Sequence, residues 1–293
     1  VAVLAHAGKS VGGGLPQLRE TLASYGIDDP RWVEVKKSKH APKKARALLE
    51  DGTDLLFVWG GDGTVQRVID AVAGRPVTLA IVPAGTANLL ATNLGIPADV
   101  PEAVRIGLHG DRRALDVGKM NGEHFAVMAG AGLDALMIER ADGAMKDRLG
   151  RLAYVWTGAR GMRDLRSVRM TIEVDRHPWF DGKATCVLVG NVGKAFAGLD
   201  LFPDAAPDDG RLDIGVVTAR GMAEWSRTLG RAVVGDVLRS PFVEATTGHR
   251  FRIDLREELP YELDGGDRDR TARLKVKVKP GAIRVCVPGE ATA

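Results

Sequence analysis

The chain has 293 residues, enough for two modest domains or one large one with a buried core. Hydrophobic residues make up 45% and charged residues 27%, a globular balance that excludes bulk disorder, and a net charge of +3 demands no nucleic-acid partner. No apolar run approaches the roughly 20 residues that span a bilayer, so any membrane contact is expected to be peripheral.

Val1–Ala5 reads as a first buried strand; it lacks the basic region that opens a signal peptide. A glycine turn (Gly8, Gly12–Gly14) follows. Leu15, Leu18, Leu22 and Tyr25 then recur at helical spacing, with Gly26 suited to end the helix. Arg31–Val35 predicts a second strand. Next comes a dense cationic run, Lys36-Lys37-Ser38-Lys39-His40-Ala41-Pro42-Lys43-Lys44, and a basic helix through Ala45–Leu49. Leu55–Trp59 and Thr78–Val82 read as buried strands, Val65–Ala73 and Ala87–Leu94 as helices. This alternation predicts an α/β N-terminal domain over 1–117, doubly wound around a parallel sheet, with ligands at the carboxyl ends of its strands.

Beyond residue 117 strands dominate: Phe125–Ala129, Val168–Val174, Thr185–Gly190, Leu212–Val217, Arg250–Leu255 and Arg273–Val278, with helices near 147–165 and 221–238. The expectation is a β-rich, sandwich-like second domain over 118–279, with 280–293 packing back on the first. Leu274, Val276 and Val278 point one way, Lys275, Lys277 and Lys279 the other. Both basic clusters suit solvated faces; their functional reading is contact with anionic phosphate or an anionic membrane surface. The segment 148–169 carries arginines beside an apolar face that fits core packing better than a membrane-lying helix. Cys186 and Cys286 sit in apolar runs without metal or redox spacing, which fits buried, reduced thiols and a cytoplasmic setting.

The sharpest motif is Gly60-Gly61-Asp62-Gly63-Thr64, between a buried strand and a helix. Glycines there let backbone approach a phosphate, and the helix N-terminus offers N–H groups and a positive dipole end. Thr64 can cap that helix or bond a phosphate oxygen. A carboxylate beside phosphates calls for a cation, so Asp62 is read as holding Mg²⁺ and orienting the terminal phosphate. Pro83-Ala84-Gly85-Thr86-Ala87-Asn88 forms a second strand-to-helix turn one helix and one strand later, which would bring two Gly-Thr turns to one crevice. The plainer reading of each is a capped helix start.

With Asn93-Leu94-Gly95-Ile96-Pro97, these motifs resemble the diacylglycerol kinase catalytic family, which includes sphingosine and ceramide kinases. Further landmarks follow in family order: Leu115–Gly118, Ala129–Ala135, Leu149–Tyr154, Val189–Asn191, Phe202–Ala205 and Asp209–Asp213. The resemblance implies an ATP-dependent lipid kinase. Gly60, Gly61, Asp62, Gly63, Thr64, Val65, Gln66, Gly85 and Thr86 would serve the nucleotide. Asp209, with the carbonyls of Ala206 and Arg211, would match a structural Mg²⁺ site, although a Pro207-Asp208-Asp209-Gly210 turn alone is unremarkable. Leu263-Asp264-Gly265-Gly266-Asp267 aligns with the family's Asp-Gly-Glu segment, whose carboxylate activates the lipid hydroxyl.

Two departures stand out. Gly266 occupies the Glu position, which leaves Asp264 as the base or its positioning partner, Asp267 as a substitute, or an ordinary hairpin turn. Near the N-terminus the family's Asn-Pro is replaced by Leu4-Ala5-His6-Ala7-Gly8-Lys9-Ser10, where Lys9 could reach a phosphate and His6 suits local hydrogen bonding. Two alternatives remain open: an NAD kinase-like enzyme, which shares the first glycine turn, and a sensor of nucleotide or lipid that has lost turnover.

Overall fold

The computed structural model describes residues 1–132, 166–195 and 199–289. The predicted helix over 147–165, the 149–154 landmark and the end of the 129–135 landmark lie outside the described residues, as does most of the segment 148–169. The described chain divides into two compact units. One takes 1–117, 123–126 and the chain from 279 onward; the other takes 118–122 and the described part of 127–278.

In the first unit the elements run β1 (Ala2–His6), α1 (Gly14–Ser24), β2 (Arg31–Val35), α2 (Ala41–Glu50), β3 (Leu55–Gly60), α3 (Asp62–Val72), β4 (Thr78–Pro83), α4 (Leu89–Asn93) and α5 (Val100–His109). β5 (Asp111–Met120) and β6 (Glu123–Phe125) close this stretch. β4, β3, β1 and β2 are neighbours in that order, all parallel. β1, β3 and β4 are apolar on both faces, as a covered parallel sheet requires, with Leu4, Leu56, Phe57, Trp59 and Ala80 fully buried, while the edge strand β2 exposes Arg31 and Glu34. α1 packs with α5 and α2 with α3, while α5 lies on β4. Gly107 permits α5 to lie this close, since a Cβ there would stand 2.4 Å from the Phe57 ring on β3 and 2.9 Å from Ala80 Cβ on β4. As expected, Gly26 ends α1: it adopts φ 77 and its N–H donates to the Ala23 carbonyl at 2.8 Å.

α5 is not among the predicted helices, yet its start is signalled. Asp99 accepts the Glu102 N–H at 2.9 Å, and Pro101 stands in the first turn.

In the second unit follow β7 (Met128–Ala131), β8 (Val168–Val174), β9 (His177–Ala184), β10 (Cys186–Gly190), β11 (Lys194–Ala195), β12 (Leu199–Asp200), β13 (Leu212–Val217), α6 (Gly221–Val233), β14 (Val243–Gly248), β15 (Arg250–Leu263) and β16 (Gly266–Val287). The pairing is antiparallel, in the order β14-β13-β10-β7-β15-β16, with β8 on β15 and β9 on β8. β15 is eight residues longer than the predicted Arg250–Leu255, because register shifts after Asp254 and Leu259 let its two halves serve different partners, β8 and then β7. The charged stretch Arg256-Glu257-Glu258 at this irregularity breaks the alternation that marks a strand. Phe180, Ile172, Ile253 and Leu274 form one buried row across β9, β8, β15 and β16.

The far end of β16 belongs to the first unit, where Arg284 pairs with Thr78 and Val285 with Leu79, parallel to β4. Gly281 N–H donates to Asp116 Oδ1 at 2.7 Å beside that pairing. Cys186 and Cys286 are fully buried free thiols; burial pushes them up to about 12 and about 11, so both stay protonated. Among the described residues no helix is long and apolar enough to cross a membrane.

Candidate active site

The two glycine turns leave adjacent, in-register strands: Trp59 pairs with Val82 and Gly60 with Pro83. They meet backbone to backbone. A Cβ on Gly85 would stand 2.5 Å from Gly61 Cα and 2.7 Å from Asn88 Oδ1; a Cβ on Gly61 would stand 3.0 Å from Gly85 Cα. Neither position admits a side chain without moving main chain. Gly63 is different: it is exposed, and a Cβ there would meet nothing within 4 Å.

Asp62 fastens one turn to the other. Its Oδ1 accepts the Leu89 N–H at 2.6 Å, at the start of α4. Asn88, in the left-handed region at φ 48, closes the second turn by accepting the Gly85 N–H at 2.8 Å and donating to the Gly85 carbonyl at 3.0 Å. Burial raises the Asp62 carboxyl above its ordinary value, with the backbone donors at Leu89 and Asn88 pulling the other way. α4 has five residues and its first amide is already spent on Asp62. The end left to meet an anion is that of α3, whose N-cap Gly61 supplies no side chain. The Gly61 carbonyl accepts the Thr64 and Val65 N–H groups at 2.9 and 3.1 Å, so that the amides ahead of the helical ladder are those of Asp62 and Gly63.

The remaining expected residues fall into distinct places. Thr64 does not cap α3: it lies within the first turn, 2% exposed, with its hydroxyl 2.9 Å from Ser38 Oγ. Val65 is buried, and Gln66 is buried with Nε2 donating to the His124 carbonyl at 2.8 Å. Both face the packing of α3 rather than solvent. Thr86 is exposed at the tip of the second turn. Lys9 is exposed, and its carbonyl accepts the Trp59 indole N–H at 3.1 Å, which ties the β1–α1 turn to the end of β3. His6 accepts the Gly8 N–H at 3.2 Å, the local role its position suggests. Ser38 is the addition that the motifs do not single out; its signal is a lone hydroxyl among lysines just past the end of β2.

In the second unit, Asp264 and Gly265 form the tip of the β15–β16 hairpin, at φ 46 and φ 75. Two successive left-handed residues make the tight turn that Asp-Gly favours. Asp264 is 6% exposed, and its Oδ1 accepts the N–H groups of Val127 and Met128, each at 2.9 Å. Gly266 follows, and a Cβ there would stand 3.0 Å from Arg268 Nη1. Glu262, 6% exposed, is a buried acid that the motifs do not mark; it stands between Gly130 on β7 and Asp267 on β16. Asp209 Oδ1 accepts the Arg211 N–H at 2.8 Å in an exposed turn. Asp213 is pushed up to about 6, first by burial and then by the charges of Asp209 and Asp204. Among the described residues no three Asp, Glu, His or Cys side chains converge on a metal position.

Residues 3–120 match the diacylglycerol kinase catalytic domain, and residues 127–287 the YegS C-terminal NAD kinase beta sandwich-like domain. The chain is 32% identical over 230 residues to the diacylglycerol kinase of Bacillus subtilis (strain 168), covering 77% of this chain and 74% of that one. The chain belongs to the diacylglycerol kinase family. The fold agrees with that of a diacylglycerol kinase from Bacillus anthracis str. Sterne, with a TM-score of 0.78 at 24% identity, covering 100% of this chain and 97% of that one. An NAD kinase from Archaeoglobus fulgidus in complex with ATP reaches a TM-score of 0.53 at 11% identity, over 97% and 92% of the two chains, and shares the fold. As a diacylglycerol kinase family member, the chain joins an α/β unit bearing the glycine turns to a β sandwich-like unit bearing the Asp264 hairpin.

Proposed function

We propose that this protein transfers the terminal phosphate of Mg²⁺-bound ATP to the hydroxyl of a lipid alcohol such as diacylglycerol, as a cytoplasmic enzyme in peripheral contact with the membrane. One observation carries the reading: two glycine turns in backbone contact at the N-terminus of α3, with Gly63 exposed and open beside them. Magnesium-bound ATP supplies the transferable phosphoryl group and neutralises its charge. The amides around Gly63 receive phosphate oxygens, Thr86 and Lys9 add donors, and Asp62 orients the cation side. The test offers purified protein and ATP a panel of lipid alcohols, with NAD as a separate acceptor, and reads the products by mass spectrometry. A phosphorylated lipid is expected; NAD phosphorylation with no lipid product would overturn the reading.

The acceptor hydroxyl must lose its proton. Because Asp264 spends one oxygen on two backbone amides, we assign it to positioning the hairpin, and assign the base to Asp267, next to the Gly266 that replaces the family's Glu. Asp264→Ala leaves two buried amides without their acceptor, at a cost of about 2–4 kcal/mol. Asp267 is exposed. Asp267→Asn should therefore hold Tm while kcat falls about 10²- to 10⁴-fold. Paired thermal melts and turnover assays separate the roles, and an Asp267→Asn enzyme with full kcat removes the base from this residue.

Asp209, with the carbonyls of Ala206 and Arg211, offers hard oxygen donors, and the crowding of Asp204, Asp209 and Asp213 is the kind that a divalent cation relieves. Mg²⁺ at a hundred times its Kd should add about 2.7 kcal/mol and raise Tm by roughly 5 °C or more. Asp209→Asn should erase that rise in a melt without nucleotide.

A further inference from the structure

The second unit carries a hollow of about 610 Å³ with six cationic side chains in its lining: Lys119, Arg176, Arg250, Arg252, Lys275 and Lys277. Glu173 is the acid in that lining. Arg250, Arg252, Lys275 and Lys277 sit on the outward face of β15 and β16, opposite the buried Ile253 and Leu274, while Lys119 comes from β5 and Arg176 from the β8–β9 turn.

Three features mark this face as built for an anion. Arg250 stands directly opposite Lys277, and Arg252 directly opposite Lys275, on adjacent strands. Like charges so placed repel and destabilise a sheet, and here two such pairs stand in succession. Acids stand beside them: Asp254 pairs with Arg252 and with Arg273, and Glu173 neighbours Arg252. The rim is held firmly. Asn121, at φ 47, accepts the Lys275 N–H at 2.9 Å and donates to the Arg273 carbonyl at 3.0 Å, fixing the end of β5 against β16. Finally, Arg176 occupies the left-handed region at φ 74 in the β8–β9 turn, directly after Asp175 at φ 49. Glycine would take that conformation without strain, so the turn keeps a cation at a conformational cost. Asp175 pins it there by accepting the Arg250 N–H at 2.9 Å.

The geometry points to this hollow as the seat for phosphate headgroups of an anionic bilayer. The inference rests on the lipid-kinase reading, which brings the protein to a membrane. The cations are spread over several strands in an open hollow, with the Asn121 amide spent on backbone, an arrangement suited to an array of headgroups more than to one caged ion. With a net charge of only +3 overall, the attraction is concentrated rather than diffuse.

The test is vesicle co-sedimentation of the full chain with phosphatidylcholine vesicles containing or lacking phosphatidylglycerol. A parallel calorimetric titration uses inorganic tripolyphosphate. Wild type should sediment with the anionic vesicles alone, and release as salt rises. Arg250→Glu with Lys275→Glu should weaken binding about 25-fold or more, at roughly fivefold per basic residue lost near the surface. The same double variant turns both repelling pairs into attracting ones, so its Tm should equal or exceed wild type; Arg250→Gln with Lys275→Gln repeats the test with a milder change. Undiminished vesicle binding by both folded variants overturns the inference. So does one-to-one tripolyphosphate binding that the substitutions abolish while vesicle binding persists. Phosphorylation of a short-chain diacylglycerol in detergent micelles should be unchanged in the variant. Absence of lipid product from wild type in that assay counts against the kinase reading and leaves the sedimentation result standing.

Discussion

Gly85→Ala should cost the first unit about 3 kcal/mol and reduce kcat/KM at least 100-fold, while Gly63→Ala should leave the fold intact and still cut activity. The difference comes from what each new methyl meets. At Gly85 it would lie 2.5 Å from the Gly61 Cα, which is backbone held between β3 and α3 and unable to step aside like a side-chain tip. Overpacking of this kind sits at the upper end of the usual 1–3 kcal/mol, and moving the turn by a fraction of an ångström carries a penalty of about 10²-fold when the turn aligns reacting groups. At Gly63 the methyl enters open space in an exposed first turn, so the lower unfolded-state entropy should stabilise the chain by about 0.4–1 kcal/mol. If phosphate passes over Gly63, that same methyl obstructs it, and kcat/KM falls without any loss in a urea melt. A stable, fully active Gly63→Ala enzyme would remove the observation on which the nucleotide site depends.

Much of this site is legible in sequence because its chemistry is local. Glycines at fixed offsets between an apolar strand and a helix give the turn, and the spacing to Gly85 gives the neighbouring turn one strand over. What each carboxylate does is not local. Asp62 reads as a cation holder from its neighbours, yet its bond to Leu89 depends on how a chain segment 27 positions later is folded. Asp264 reads as a base from its alignment, while its two acceptor bonds come from Val127 and Met128, more than 130 positions earlier. Thr64 and Val65 sit inside the motif but turn inward, because α3 needs a buried face and the helical period puts 64, 65 and 68 on it, while Gln66 is covered separately at β6, through its bond to the His124 carbonyl. The strand extents of β15 and β16 were hidden for a related reason: charged residues flank an irregular region, so alternation fails where pairing continues.

Asp62 is where these two levels meet, and its variants separate them. Asp62→Ala deletes the acceptor of the Leu89 N–H, a helix-cap loss of about 0.5–2 kcal/mol, and with it the tie between the two turns. Asp62→Asn keeps an acceptor oxygen and removes the charge. If the carboxylate only fastens the turns, the Asn enzyme should work nearly as well as wild type. If it also orients a nucleotide-bound cation, Asn should lose about 10²- to 10³-fold in kcat, with magnesium-dependent nucleotide uptake weakened in calorimetry; we expect this second outcome. Stability should move with pH in a defined direction. Burial raises Asp62 above its ordinary 3.8, so the native state favours the neutral acid: that contribution is complete below 3.8 and is lost as pH rises through the folded value. The uncharged Asn carries no such loss, so its stability relative to wild type should rise between acid and neutral pH. A cap-only Asp62, with the Asn enzyme at full kcat, would leave the glycine turns as a scaffold without the cation chemistry that phosphoryl transfer requires.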